Sequence, residues 1–145
     1  MMKLIGFWPP YFGTGIWVSH FSLDLTEIDV EMRLRPWNRN FVGSHFGGSI
    51  YAMVDPFLML MLIHQLGSNY VVWDKSAVIK FKKPGLGRIY AEFRLSTSEL
   101  NQLKSDLEIN RKIEPVFRVL IKNDLGEVVS EVEKVLYIRK KSTSA

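Results

Sequence analysis

Between Gly47 and Ile63 the sequence carries one charged side chain, Asp55, inside an apolar run that opens on two glycines: NFVGSHFGGSIYAMVDPFLMLML, residues 40–62. Taking a carboxylate out of water is costly unless it is paired or protonated, so its place in this run needs a reason. One reason is catalysis, because a positioned carboxylate can activate water as a general base or attack as a nucleophile. The second chemical element lies at the start of the run. If Gly47 and Gly48 open a helix, their N–H groups stay free along the positive end of its dipole, where an acyl oxygen gathering negative charge is stabilised. Each feature also has a plainer reading. A glycine pair suits a tight turn with close backbone packing, and Asp-Pro is a good cap and first-turn pair, so a helix could simply begin at Pro56. Against that start, Ser49–Val54 is already helical in pattern. Pro56 within a helix would release the carbonyl of Ala52 and kink the chain, letting Asp55 lean out of the packing.

The eight-residue spacing of Gly47 and Asp55 corresponds to about 12 Å along a helix. One acyl carbonyl cannot reach both within one chain. Two antiparallel copies of the helix about a two-fold axis would bring Gly47 of one chain to Asp55 of the other.

The elements that must position these residues follow from periodicity. Glu27–Arg35 alternates apolar and charged residues and predicts a half-exposed strand. Pro36–Ser44 reads as a loop, and Gly47 to about Leu66 as one buried helix closed by Gly67 and Asn69. Tyr70–Lys82 and Arg88–Leu95 predict further strands, with Ile79 and Phe81 opposite Lys80 and Lys82. Glu99–Leu107 predicts a short helix with leucines at 100, 103 and 107. Val116–Ile121 and Glu127–Ile138 flank KNDLGE, a hairpin in which Gly126 supplies positive φ. Residues 1–15 form a turn-rich entry. One helix against a mostly antiparallel sheet is an α+β layout. A sheet covers one side of a helix, which leaves the other for a second subunit.

Composition narrows the function. The 145 residues suggest one domain, residues 1–141, with 142–145 as a loose tail. The 19 basic and 15 acidic side chains leave +4, a mild excess that suits an anionic small ligand better than nucleic acid. The absence of cysteine excludes disulfides, thiolate catalysis and cysteine metal sites. His20, His45 and His64 have no ligand spacing, so no metal is expected. Val54–Ile63 is too short to cross a bilayer, the start lacks a signal-peptide pattern, and a cytoplasmic protein is the expectation.

Asn40, Gly43, Gly47, Gly48 and Asp55 fall in register with the pattern of phenylacetyl-CoA thioesterases: an Asn, a Gly, then His-Gly-Gly, then an Asp seven residues on. The chain resembles that branch of the hotdog-fold acyl-CoA thioesterases, and "DKSAVIKFKKPG" resembles the second strand of the family. More narrowly, "MVDPFLMLML", "VWDKSAVIKFKKPG" and "EKVLYIRK" are similar to a hotdog subgroup also found fused to acetyltransferase domains. The resemblance implies a long central helix wrapped by five or six mostly antiparallel strands, and a homodimer or a dimer of dimers. It implies an acyl-CoA or related thioester as substrate and no cofactor. Asp55 would be base or nucleophile, Gly47 the carbonyl polariser, and Asn40 the holder of water or acyl group. Gly48, Asp74 and Ser76 would support them; Asp74 matches a position where relatives carry a helper serine, though it could equally pair with Lys75 or another base. Lys80, Lys82, Lys83 and Arg88, with Arg139–Lys141, could meet coenzyme A phosphates or could form a solvated face. One position departs from the pattern: Phe46 stands where the family has His, and His45 is displaced by one residue, so no catalytic ring is expected there. The alternatives are a non-catalytic acyl-CoA binding module and a hotdog dehydratase, suggested by the likeness of "GSHF" to "GHFP".

Overall fold

The computed structural model describes residues 2–141; the tail expected at 142–145 lies outside the described residues. The alternation in EIDVEMR works as anticipated, because β2 (Glu27–Arg33) buries Ile28, Val30 and Met32. These face β4 (Arg88–Arg94) in antiparallel register, with Ile28 opposite Phe93, Val30 opposite Ala91 and Met32 opposite Ile89. The hairpin of β6 (Val116–Asn123) and β7 (Val128–Lys140) turns on Gly126, whose φ of 75° no side-chain-bearing residue adopts cheaply.

With β1 (Ile16–Phe21), β3 (Tyr70–Phe81) and β5 (Lys112–Ile113), the strands form a seven-stranded sheet of order β1-β2-β4-β6-β7-β3, β5 pairing separately with β7. The expectation was five or six. β1 and β5 leave little trace in the sequence: β1 fully buries only Ile16, so it lacks an alternating signature, and β5 is two residues long. The entry segment is also more ordered than expected. A 3₁₀ turn (Met2–Phe7) leads into α1 (Pro9–Thr14), whose prolines occupy the first turn, where a missing N–H costs nothing.

The long central helix spans Gly47–Leu66 as expected and is broken locally beside Pro56. It consists of α2 (Gly47–Ala52) and α3 (Phe57–Leu66), joined by a tight turn over 53–56. Pro56 is the cause. It has no N–H to give, and its ring excludes the carbonyl four residues back. The helical ladder ends with Met53 N–H on Ser49; Val54 and Asp55 then reach back only three residues, to Tyr51 at 3.0 Å and Ala52 at 3.4 Å. The carbonyl of Ala52 is also met by the Tyr11 hydroxyl from α1 at 3.0 Å. Desolvation around Tyr11 pushes its hydroxyl well above the ordinary tyrosine range, so it remains a donor.

Gly47–Leu66 is 20 residues with a mean hydropathy of 1.4, long and apolar enough by length and composition to cross a membrane. Here it lies along the sheet, with Ile50, Met53, Val54, Phe57, Met61 and Leu62 in the core. At about 25 cal/mol per Å² of apolar surface, this burial is what holds the helix to the sheet. α4 (Thr97–Ile109) buries Leu100, Leu103 and Leu107 and starts on a capping box of Ser96 and Glu99. The result is the expected α+β hotdog arrangement, with β3 as a terminal strand on which Trp73, Val78 and Phe81 stay exposed.

Candidate functional site

The break in the central helix sets the surroundings of Asp55. Its side chain is 49% exposed, so it leans out as the kink requires. Behind it stands Lys134 of β7, with a side-chain exposure of 0%. Residues 130, 132, 134, 136 and 138 of β7 all face inward, so an ammonium occupies a core position between Val132 and Leu136. Lys134 Nζ donates to the carbonyl of Asp55 and approaches that of Val54 at 3.5 Å. These carbonyls lie at the break, and without a donor they would be poorly satisfied.

The same ammonium lies 2.9 Å from Asp74 Oδ1 and 3.8 Å from Asp55 Oδ1. The Asp74 contact is an ion pair without hydrogen-bond alignment. A β-bulge between Asp74 and Ser76 leaves Lys75 and Ser76 both outward and Asp74 on the helix side of β3. Lys75 pairs with Glu114 at 2.6 Å, so Lys134 and not Lys75 is the base that holds Asp74. Burial raises the Asp74 carboxyl above its ordinary range, Lys134 opposes that, and the Asp55 charge adds to it. Tyr51 completes the group: burial first, then its hydrogen bond to Asp55, push its hydroxyl up to about 12.

The other expected residues gather at the start of α2. Asn40, Gly47 and His45 line a cavity of about 410 Å³ together with Phe81, Lys82 and Lys83. Asn40 and Gly47 are therefore on the same side, and Asp55 is not part of that lining. α2 has only six residues, so its dipole is small and free N–H groups are what it offers. Its cap residue, Phe46, provides no side-chain hydrogen bond to them.

Asn40 is heavily used inside its loop. Its amide donates to Ser44 Oγ (3.0 Å) and the His45 carbonyl (3.3 Å), and its oxygen accepts from Val42 and Ser44 N–H. In one chain this is the chemistry of a turn brace, not of a free water ligand. At Gly48 a Cβ would lie 2.4 Å from the Phe46 ring, an exposed side chain that would have to swing aside. Ser76 is exposed and stands apart from Asp74. Of the four cations suggested for phosphate, Lys82 and Lys83 reach the cavity. Lys80 lines a separate hollow with Glu131 and Glu133. Arg88 is committed to Glu31 (3.1 Å), Asp124 (2.9 Å) and the face of Tyr90.

His45 is 2% exposed, with Nε2 3.0 Å from the Gly87 carbonyl. A carbonyl only accepts, so Nε2 carries the proton in this contact; burial, not the contact, favours the neutral ring. Burial lowers its pKa, and the Gly87 carbonyl only partly compensates. In the unfolded chain the ring takes a proton near its ordinary value of about 6.5. Stability from the neutral ring is therefore complete above that pH and is lost as pH falls toward the lower native value. His45→Asn keeps a donor for Gly87 but does not titrate. Its melting temperature should fall less steeply than the native chain's as pH drops from about 7 to 5. Parallel acid profiles for the two proteins would contradict this account.

Lys134 is the functional candidate that motif reading passed over. The signal was present, since EVEKVLYI places one lysine on the face that otherwise carries Val132, Leu136 and Ile138. It mirrors the lone acid in the apolar helix. An ammonium and a carboxylate, each anomalous in its own element, meet where the helix crosses β7.

Residues 1–138 match the family described as Domain of unknown function (DUF4442). No curated protein matches the sequence. Among solved structures, a Pseudomonas aeruginosa protein of unknown function, described as a probable thioesterase, is similar with a TM-score of 0.84 at 19% identity, over 97% of this chain and 93% of that one. A Chlorobaculum tepidum protein of unknown function gives 0.74 at 18% identity, with the same coverage of 97% and 93%. A Haemophilus influenzae thioesterase gives 0.68 at 14% identity, over 95% of this chain and 87% of that one. At these identities the likeness establishes the fold.

Proposed function

The chain belongs to the family described as Domain of unknown function (DUF4442), and we propose that it hydrolyses an acyl-CoA thioester at a site shared between two subunits. The observation that carries this reading is the half-exposed Asp55 carboxylate at the helix break, facing out over a buried ammonium and outside the cavity that contains Gly47. The thioesterase descriptions of the Pseudomonas and Haemophilus proteins support it.

In the proposed reaction, Asp55 takes a proton from water as the water oxygen bonds to the thioester carbonyl carbon. The carbonyl oxygen gains negative charge and is met by the Gly47 N–H of the other subunit. The tetrahedral intermediate collapses, the carbon–sulfur bond breaks, and the thiolate leaves and is protonated, giving a carboxylic acid and coenzyme A. Direct attack by Asp55, through an anhydride that water then cleaves, gives the same products. Tyr51 stays protonated, its hydroxyl pushed up by burial and by the neighbouring Asp55. Lys82 at the cavity suits a phosphate of the carrier, its nearest carboxylate being Glu131 at 4.0 Å, whereas Lys83 is paired with Glu127 at 2.5 Å.

Dimerisation is supported by the exposed Trp73, Val78 and Phe81 on the terminal strand β3 and by the absence of Asp55 from the lining of the cavity that holds Asn40 and Gly47. A dehydratase-like use of His45 is disfavoured, because its Nε2 is occupied by Gly87. The competing reading is a non-catalytic acyl-CoA binding module, favoured by Phe46 at the position where the related pattern has His. The test is free-thiol release across a panel of acyl-CoAs from acetyl to long-chain and phenylacetyl. Turnover on at least one member is expected. Binding without turnover on any of them would establish the module instead.

A further inference from the structure

We propose that Lys134 is a positioning residue for Asp55: from inside the sheet it clamps the carbonyls at the helix break and ties Asp55 and Asp74 into one charged unit. The catalytic meaning of this inference rests on the thioesterase reading; its electrostatic part does not. A lysine side chain at 0% exposure has been taken fully out of water, which is tolerated only when charge and hydrogen bonds are both answered. Here the answers come from three sources. The helix break offers the carbonyls of Val54 and Asp55, β3 offers Asp74 at 2.9 Å, and the Asp55 carboxylate lies at 3.8 Å.

Each contact restrains Asp55 differently. The carbonyl contacts fix the backbone at the residue itself, in a turn that Pro56 has stripped of helical hydrogen bonds. The ammonium, 3.8 Å away, draws the carboxylate back toward the sheet. A neutral side chain in place of Lys134 would provide neither the clamp nor the counter-charge. The titratable groups facing this cluster are Asp55 and Tyr51 from the helix, Asp74 from β3, and Tyr11 from α1, whose hydroxyl feels the Asp55 charge.

Asp74 reports on the unit without any substrate. Its carboxyl can be followed by carbon-13 chemical shift as pH is varied. Lys134→Met removes the cation that lowers it, so its midpoint should rise further, by about one pH unit or more. Asp55→Asn removes the charge that raises it, so the midpoint should fall. An Asp74 midpoint unmoved by Asp55→Asn, or moved upward, overturns the proposal. Lys134→Met leaves Asp74 buried without its partner and can fail to fold; Lys134→Met/Asp74→Asn removes both charges and avoids that penalty. For this double variant kcat should drop about 10- to 100-fold with KM within about twofold, because Asp55 is misplaced while the Gly47 cavity is untouched. A folded double variant with native kcat also overturns the proposal. Should the native chain turn over no thioester at all, the hydrolytic reading falls and the Asp74 midpoints alone decide whether the unit exists.

Discussion

Asp55→Asn is expected to lower thiol release from the best acyl-CoA substrate by about 10²- to 10⁴-fold, the range associated with losing a general base. The change is close to isosteric and removes basicity and charge but little volume. The surrounding structure gives it room to be specific. The side chain is half exposed, so no packed cavity opens. The backbone at the break remains held by Lys134 and by the Tyr11 hydroxyl on Ala52. Lys134 keeps Asp74 as its counter-ion at 2.9 Å, so no buried charge is orphaned. The variant should therefore match the native chain in circular dichroism, melting temperature and elution volume. A fully active Asp55→Asn would show that the acid is there only to terminate one helical segment before Pro56.

Asp55 and the kink beside it are both legible in the sequence. Asp55 stood out because a charge in an apolar run is costly, and cost is visible without a structure. Pro56 announced the kink and the freed Ala52 carbonyl for the same kind of reason, since a ring without an N–H has one local effect. The strands β2, β4, β6 and β7 could be read because each buries one face and so alternates. What remained hidden depends on contacts between distant segments. β1 is a half-exposed edge with little alternation. The partner of Asp74 was open between Lys75 and another base, and only the bulge at Lys75 and the register of β3 on β7 decide for Lys134. The Tyr11 hydroxyl reaches Ala52 across 41 residues of sequence, a pairing no local pattern encodes. Asn40 shares a cavity with Gly47, yet its amide is spent on the loop, and spacing reveals neither fact.

Two inactive chains are expected to restore activity when combined. Asn40→Ala removes the amide that braces Val42, Ser44 and His45, so it damages the loop that leads into Gly47. Asp55→Asn damages the other end of the helix. Because Asn40 and Gly47 line one cavity and Asp55 does not, a site shared about a two-fold axis takes its Gly47 half from one chain and its Asp55 half from the other. Each variant alone then has a lesion in both of its sites. In a mixed dimer, one site collects both lesions and its symmetry mate collects neither. Random pairing makes half of the dimers mixed, each with one good site of two, so about a quarter of native activity should return on co-expression. Purifying the mixed species through separate tags should raise this to about half. The measurement is thiol release by the purified heterodimer against the two parental homodimers. A heterodimer that forms and stays as inactive as its parents would place Gly47 and Asp55 of the same chain in one site, and the shared arrangement would have to be abandoned.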